Sequence, residues 1–344
     1  MTPITICAPN WTIAESYGRV AHELRNGLRK RGYHVNTEGE FAPESEYSLC
    51  FGGIFLAYPT GFDRYSTLAN AGKRICVTMF ESDKLPEGWV ENLNKVQAVV
   101  VPSEWCKEVF ISEGVTTPVY VVPLGVSEAY KFHQRQVNVL DDYVHKFVAI
   151  GFRNDRKGYY PLCRAFYKAF GDDLHYTLTF KNRAVDYNLK NITKFSSGNM
   201  ELVRADYSDE EMNDFYSQFD YMAFPSLGEG FGLPPREFAV NGGISLATDY
   251  SGLKDNIDTW GIRIPTDGVE TAWTTMENKD LRGVGSWAKL DEGVLAERLR
   301  CAVINRPNLV FESLHRSEAT RALYSWDRFT DGVLEVWKSV NGYT

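Results

Sequence analysis

The sequence predicts an α/β protein built from two Rossmann-like, doubly wound domains facing a central cleft, and three observations carry that prediction. Short apolar runs alternate with helical periodicities, the pattern of a parallel sheet wrapped by helices. The alternation begins at the N-terminus and restarts at KFVAIGF, residues 146–152, after a polar stretch. Late in the chain a glycine-rich turn joins an apolar strand to a proline-started helix. The chain is long enough for two cores: it has 344 residues, 44% of them hydrophobic.

The elements follow in order. ITICAP, YHVN, YSLCFGG, KRICVTMF and VQAVVVP read as the strands of the first half. Residues 15–31 read as its first helix, because Tyr17, Val20, Ala21, Leu24 and Leu28 recur at helical spacing and form one sheet-facing stripe. Residues 127–142 are the candidate linker, which sets domains at 1–130 and 131–323. KFVAIGF opens the second sheet, and the apolar run Tyr221, Met222, Ala223, Phe224 has the length and composition of a buried strand.

That run leads into FPSLGEGFGLPPRE, residues 224–237, the most chemically specific segment of the chain. Gly228, Gly230 and Gly232 let the backbone approach a ligand closely, and Pro234 and Pro235 suit a first helical turn. The amides of Gly230, Phe231, Gly232 and Leu233 then sit at a helix start, where partial positive charge favours an anion such as phosphate. Glu229 and Glu237 bracket the turn and suit the hydroxyls of a sugar or ribose, one at each end of a diphosphate. The plainer alternative is that both are helix-start carboxylates favoured by the macrodipole. A dinucleotide fingerprint is excluded, because Pro235 stands where the third glycine of G-x-G-x-x-G is needed.

In open α/β sheets ligands bind beyond the carboxyl ends of strands, so the loop after KFVAIGF shares a surface with the glutamate turn. It carries Arg153, Arg156 and Lys157, cations able to stabilise a bound diphosphate and the charge that grows on a departing nucleotide. A solvated basic loop is the competing reading. In the first half, Gly18 lies in the loop region after the first strand and serves either a close phosphate approach or an N-cap. Glu81 and Asp83 follow the fourth strand; they either face the cleft or cap a helix beginning near Pro86.

The Glu-x7-Glu segment with its Pro225–Ser226 prefix resembles the signature of glycosyltransferase family 4, retaining enzymes of the GT-B fold. VPSEWCKEVF and VYVVPLGV resemble the end of that family's first domain, GFRNDRKG its donor-phosphate loop, and YSWDRFTDGVLEVW its terminal helix. The resemblance spans nearly the whole chain. It implies transfer of a monosaccharide from a nucleotide-diphosphate sugar, such as a UDP- or GDP-sugar, to an acceptor hydroxyl. It also implies that residues 324–344 cross back to the first domain. Glu229, Lys157, Arg153 and Glu81 are the implied catalytic set. Gly18, Arg153, Lys157, Glu229, Gly230, Phe231, Gly232, Leu233 and Glu237 form the implied donor site. In this chain Arg153 stands nearer to Lys157 than the family pattern has it, and a histidine common near Glu81 is absent. In the retaining mechanism the acceptor attacks from the face the nucleotide leaves, so no enzyme nucleophile is required.

Composition narrows the rest. No D-x-D occurs and the six cysteines form no C-x-x-C, so neither a metal-bridged diphosphate nor a zinc site is expected, and the thiols are expected to be buried and free. No apolar run approaches a membrane span and no signal core follows the N-terminus, which gives a cytoplasmic expectation. A net charge of −8 disfavours nonspecific nucleic-acid binding. Arg19, His22, Arg25, Arg29, Lys30, Arg31 and His34 nevertheless cluster on and after the first helix, as a solvated face or a site for a phosphorylated acceptor, anionic lipid or DNA backbone. The acceptor stays open among a glycan, a lipid-linked glycan and a modified nucleic-acid base flipped onto Trp11, Tyr17 or Tyr58. A nucleotide-sugar epimerase and a noncatalytic carbohydrate or nucleic-acid binding protein are the rival classes. A two-carboxylate hydrolase is disfavoured, because such a pair has no reason to surround a phosphate-type helix start.

Overall fold

The computed structural model describes residues 4–8, 16–39, 47–51, 73–137, 139–140, 142–151, 155–183, 198–272 and 284–342. The chain divides into two compact units. Met1–Gly125, Asn278–Gly285 and Tyr324–Thr344 make the first, and Val126–Glu277 and Ser286–Leu323 the second.

In the first unit, β1 (Ile4–Ala8), β2 (Val35–Gly39), β3 (Tyr47–Phe51), β4 (Lys73–Val77), β5 (Ala98–Val101) and β6 (Val119–Val121) form a parallel sheet. Their order is β2-β1-β3-β4-β5-β6, so the winding reverses between β1 and β3. The second strand starts two residues later than YHVN suggests and runs to Gly39. The parallel register of Val35–Gly39 on Ile4–Ala8 carries it through Thr37 and Glu38, which composition alone marks as loop. Helix Ser16–Lys30 follows β1, and Val20, Ala21, Leu24 and Leu28 are buried as its periodicity predicts.

Helix Trp326–Asn341 also belongs to the first unit. Ser325 caps it by accepting the Arg328 amide at 3.2 Å, and Phe329, Val333, Leu334 and Trp337 form its buried face. It crosses Ser16–Lys30 closely, since a Cβ at Gly27 would overlap the Thr330 side chain. Lys30 pairs with Asp327 at 3.0 Å, and Arg31 with Asp327 at 3.3 Å and Asp331 at 2.6 Å. Arg29 donates to the Val35 carbonyl at 3.2 Å. Within the basic cluster, Arg31 is thus partly buried against Trp326–Asn341, while Arg29 and Lys30 stay exposed and hydrogen-bonded to the protein.

In the second unit, β7 (His145–Ile150), β8 (Tyr176–Asn182), β9 (Met200–Arg204), β10 (Tyr221–Phe224), β11 (Ile244–Thr248) and β12 (Ile262–Ile264) form another parallel sheet, in the order β12-β11-β10-β7-β8-β9. A short antiparallel pair, β13 (Val269–Thr271) and β14 (Ser286–Ala288), stands apart from it. Phe147, Phe166, Leu178, Phe180, Tyr221, Leu246, Leu295 and Leu299 share one core with helices Tyr159–Phe170 and Glu292–Ile304. The chain lays β8 and β9 on one side of β7 and then returns to lay β10 on the other. The winding therefore reverses between β7 and β10, and the loops leaving these two strands lie side by side at the position where open α/β sheets bind ligands.

The two units meet along the chain at Gly125/Val126, and the stretch that follows is not an extended linker. Arg135 is buried within the second unit. It donates to the carbonyl oxygens of Phe219 at 3.1 Å, Tyr216 at 2.9 Å and His133 at 2.8 Å, to the Asn241 side chain at 2.6 Å, and to the Asn241 carbonyl. One guanidinium thereby satisfies several backbone acceptors and holds a polar segment against the sheet. Cys76, Cys106 and Cys163 are buried and Cys301 is partly exposed, and none of these four forms a disulfide.

Candidate functional site

The site is built at the winding reversal of the second unit. All four residues of the strand Tyr221–Phe224 are buried, and helix Leu233–Val240 begins nine residues after its end. Its N-cap is Gly232 at φ 87°, with Pro234 and Pro235 in the first turn. Only glycine adopts that φ without strain, and a Cβ there would press on Leu253. The turn is closed from behind by the Gly252 N–H, which donates to the Glu229 carbonyl at 2.9 Å. The Glu229 N–H donates to Ser251 Oγ, also at 2.9 Å.

Glu229 is 7% exposed, and both carboxylate oxygens are engaged. Lys157 Nζ and Ser226 Oγ, the latter at 2.7 Å, donate to Oε1, and Arg156 pairs with Oε2 at 3.1 Å. Burial alone pushes this carboxyl up. The charges of Arg156 and Lys157, with hydrogen bonds from Lys157 and Ser226, more than reverse that and leave it at about 2. Lys157 Nζ also lies 5.1 Å from the Phe224 ring centre.

The basic turn docks directly on the glutamate turn. The Leu227 N–H donates to the Arg156 carbonyl at 2.6 Å, and Arg156 donates to the Gly228 carbonyl. Gly158, at φ 67°, allows the approach, because a Cβ there would overlap the Pro225 carbonyl. The sequence offered Arg153 ahead of Arg156. Arg156 is the arginine that meets Glu229, while Arg153 lies outside the described residues.

Glu237 sits one turn into the helix, buried, and accepts a hydrogen bond from the Tyr216 hydroxyl at 3.3 Å. Gly230, Phe231, Gly232 and Leu233 lie between the two glutamates, with Phe231 buried. Arg236 escaped the sequence reading, which had no reason to treat an arginine in a helix as buried. It has no exposed surface, donates to the carbonyls of Phe231, Gly232 at 3.0 Å, Gly252 at 3.1 Å and Asp255 at 3.3 Å, and stacks on Phe231 and Trp260. Ser251 escaped it too, its only local signal being the Ser-Gly pair after β11.

Gly18 and Glu81 belong to the first unit. Gly18 is buried inside helix Ser16–Lys30, which starts two residues earlier, so it is not an N-cap. Glu81 follows β4 and is half-buried. Neither Glu81 nor Asp83 caps the helix beyond Pro86, because that helix, Trp89–Leu93, is capped by Gly88 with no side-chain hydrogen bond. The Tyr17 hydroxyl donates to the Met79 carbonyl at 2.9 Å, and Trp11 and Tyr58 lie outside the described residues. Among the described residues no group of three or more His, Cys, Asp or Glu is placed to hold a metal ion, and no helix is long and apolar enough to cross a membrane.

No protein-family model matches this chain, and no curated protein matches it by sequence. Solved structures do. A glycosyltransferase from Rickettsia africae aligns over 100% of this chain and 99% of its own, with a TM-score of 0.72 at 12% identity. A sucrose-phosphate synthase from Thermosynechococcus elongatus aligns over 99% and 100%, with a TM-score of 0.74 at 13% identity. The Anabaena protein HepE, in complex with UDP-glucose, aligns over 98% and 100%, with a TM-score of 0.69 at 10% identity. At such identities the likeness speaks to architecture: the chain has the α/β fold of two Rossmann-like domains characteristic of GT-B proteins.

Proposed function

We propose that this protein is a retaining glycosyltransferase of the family 4 type, moving a monosaccharide from a nucleotide-diphosphate sugar to an acceptor hydroxyl. One observation carries the reading: Lys157 and Arg156, both partly buried, converge on the buried Glu229 at a glycine-rich helix start at the winding reversal of a parallel sheet. The fold shared with a protein described as a glycosyltransferase, and with another solved in complex with UDP-glucose, supports the same reading.

The geometry suggests a division of labour. Lys157 and Arg156 face the diphosphate, together with the amides of Gly230 to Leu233, and stabilise the charge that grows on the leaving nucleotide. Glu229 and Glu237 accept hydrogen bonds from hydroxyls of the sugar and ribose, with Tyr216 orienting Glu237. Glu81 is the carboxylate assigned to the acceptor hydroxyl. The departing phosphate oxygen takes the acceptor's proton, so the protein supplies no nucleophile. Because cationic side chains serve the diphosphate, turnover is expected to survive chelation of divalent metals.

The test is to incubate the protein with nucleotide sugars and acceptor pools of simple glycans, lipid extract and modified DNA, following released nucleotide and product mass. Lys157→Ala is expected to lower turnover by about 100-fold, the order seen when a preorganised charge-stabilising group is lost. Glu237→Ala is expected to weaken donor binding. Unchanged turnover in the first variant, or wild-type donor affinity in the second, removes that assignment. An inverted anomeric configuration by NMR overturns retention while leaving transfer standing.

A further inference from the structure

We propose that Glu229 is a built-in competitor for the anion site, which makes the site select an intact sugar diphosphate over the bare anion; this rests on the glycosyltransferase reading above. The carboxylate already occupies both cations. Lys157 Nζ is on Oε1 and Arg156 Nη1 is 3.1 Å from Oε2. The three side chains are only 9% to 17% exposed, so water screens their charges weakly. An arriving diphosphate draws Lys157 and Arg156 towards itself and leaves a buried carboxylate beside a second anion.

Two buried anions with shared counter-ions repel, and a carboxylate stripped of its partners incurs a desolvation cost. Ser226 is the donor that stays, because it sits in the same turn as Glu229 and reaches Oε1 at 2.7 Å. A second donor has to come from the ligand. The sugar of an intact donor brings hydroxyls from the carbon beyond the phosphate-bearing anomeric centre onward, and these replace Lys157 at Oε1. A nucleoside diphosphate or inorganic pyrophosphate brings only acceptors at that end. The same carboxylate therefore accepts the donor substrate and weakens the hold on the product once the sugar has gone.

Fixation of the pair within one unit makes the competition obligatory rather than incidental. Arg156 and Lys157 are anchored by the Leu227 N–H on the Arg156 carbonyl at 2.6 Å. Glu229 is anchored by its own N–H on Ser251 at 2.9 Å and by the Gly252 N–H on its carbonyl at 2.9 Å. The backbones that carry the opposed charges are thus tied to one another, and ligand entry changes only how the side chains are shared.

Two variants separate this from a general loss of structure, because they are expected to move in opposite directions. Binding of metal-free inorganic pyrophosphate is measured by calorimetry at fixed pH and ionic strength. Glu229→Gln, which removes the competing charge and keeps the shape, is expected to bind pyrophosphate about tenfold or more tightly than wild type, the order of effect for deleting a buried like charge. Ser226→Ala, which removes the donor that remains, is expected to bind it several-fold more weakly, since the carboxylate then depends more on Lys157. With an intact nucleotide sugar the gain in Glu229→Gln should vanish or reverse. Equal or weaker pyrophosphate binding in Glu229→Gln overturns the proposal while the anion socket stands, and so does unchanged binding in Ser226→Ala should the first variant not fold. Absence of pyrophosphate binding in all three proteins overturns the socket itself.

Discussion

Arg236 shows how much a single side chain can organise without touching solvent. Its guanidinium collects four carbonyl oxygens from both sides of the glycine-rich turn and lies over two aromatic rings. Arg236→Leu is expected to lower stability by about 3 kcal/mol, because each abandoned carbonyl stays buried, and Arg236→Lys to recover only part of it. Denaturant unfolding of the two variants checks this, and equal stability of Arg236→Leu and wild type refutes it. Glu229 gives a pH signature. Its carboxyl is held at about 2 against an ordinary value of 4.5, so the unfolded chain binds more protons than the folded one between those limits. Its contribution is complete above 4.5, is lost as pH falls through about 2, and is absent in Glu229→Gln. Melting temperatures of both proteins across pH 2 to 5 should therefore show a shallower slope in the variant. The two glutamates and Lys157 could be picked out from local spacing. Arg236 and Ser251 could not, because their roles lie in contacts with segments distant in sequence.

At the scale of elements, the decisive contact is the docking of one turn on another. The basic turn ends at Gly158, whose φ of 67° and absent Cβ let it lie against Pro225. Gly158→Ala is expected to push the cations away from Glu229, lowering donor affinity and melting temperature together. Structure determination of the variant with Lys157 still on Glu229 would sink that account. Secondary structure was legible where pattern dominates. The first helix runs Ser16–Lys30 against a reading of 15–31, and the proline-started helix begins at Leu233. Legibility failed where pairing dominates, as in Val35–Gly39, whose polar half is a strand because its neighbour is one.

For the whole molecule, alternation of apolar runs sufficed for the α/β class, and the restart at KFVAIGF for a second sheet. The division itself is not linear in sequence, since the first unit reclaims Asn278–Gly285 and Tyr324–Thr344. The return of Tyr324–Thr344 is what the resemblance of YSWDRFTDGVLEVW implies, whereas no local pattern reports that of Asn278–Gly285. The polar stretch read as a linker is instead tied down through Arg135, whose buried contacts come from residues about a hundred positions away. Removing residues 324–344 is expected to expose the surface that Phe329, Val333, Leu334 and Trp337 cover and leave the first unit open to protease, while the second stays resistant. Limited proteolysis with mass mapping of the fragments reads this out, and equal resistance of both units would contradict it.

That interrupted first unit sets an order of assembly during synthesis. Both parallel sheets precede Trp326–Asn341 in the chain, so Thr330 can meet Gly27 only after both have been translated. The first sheet, translated before the second, thus waits for a helix translated after it, and its apolar covering is complete only then.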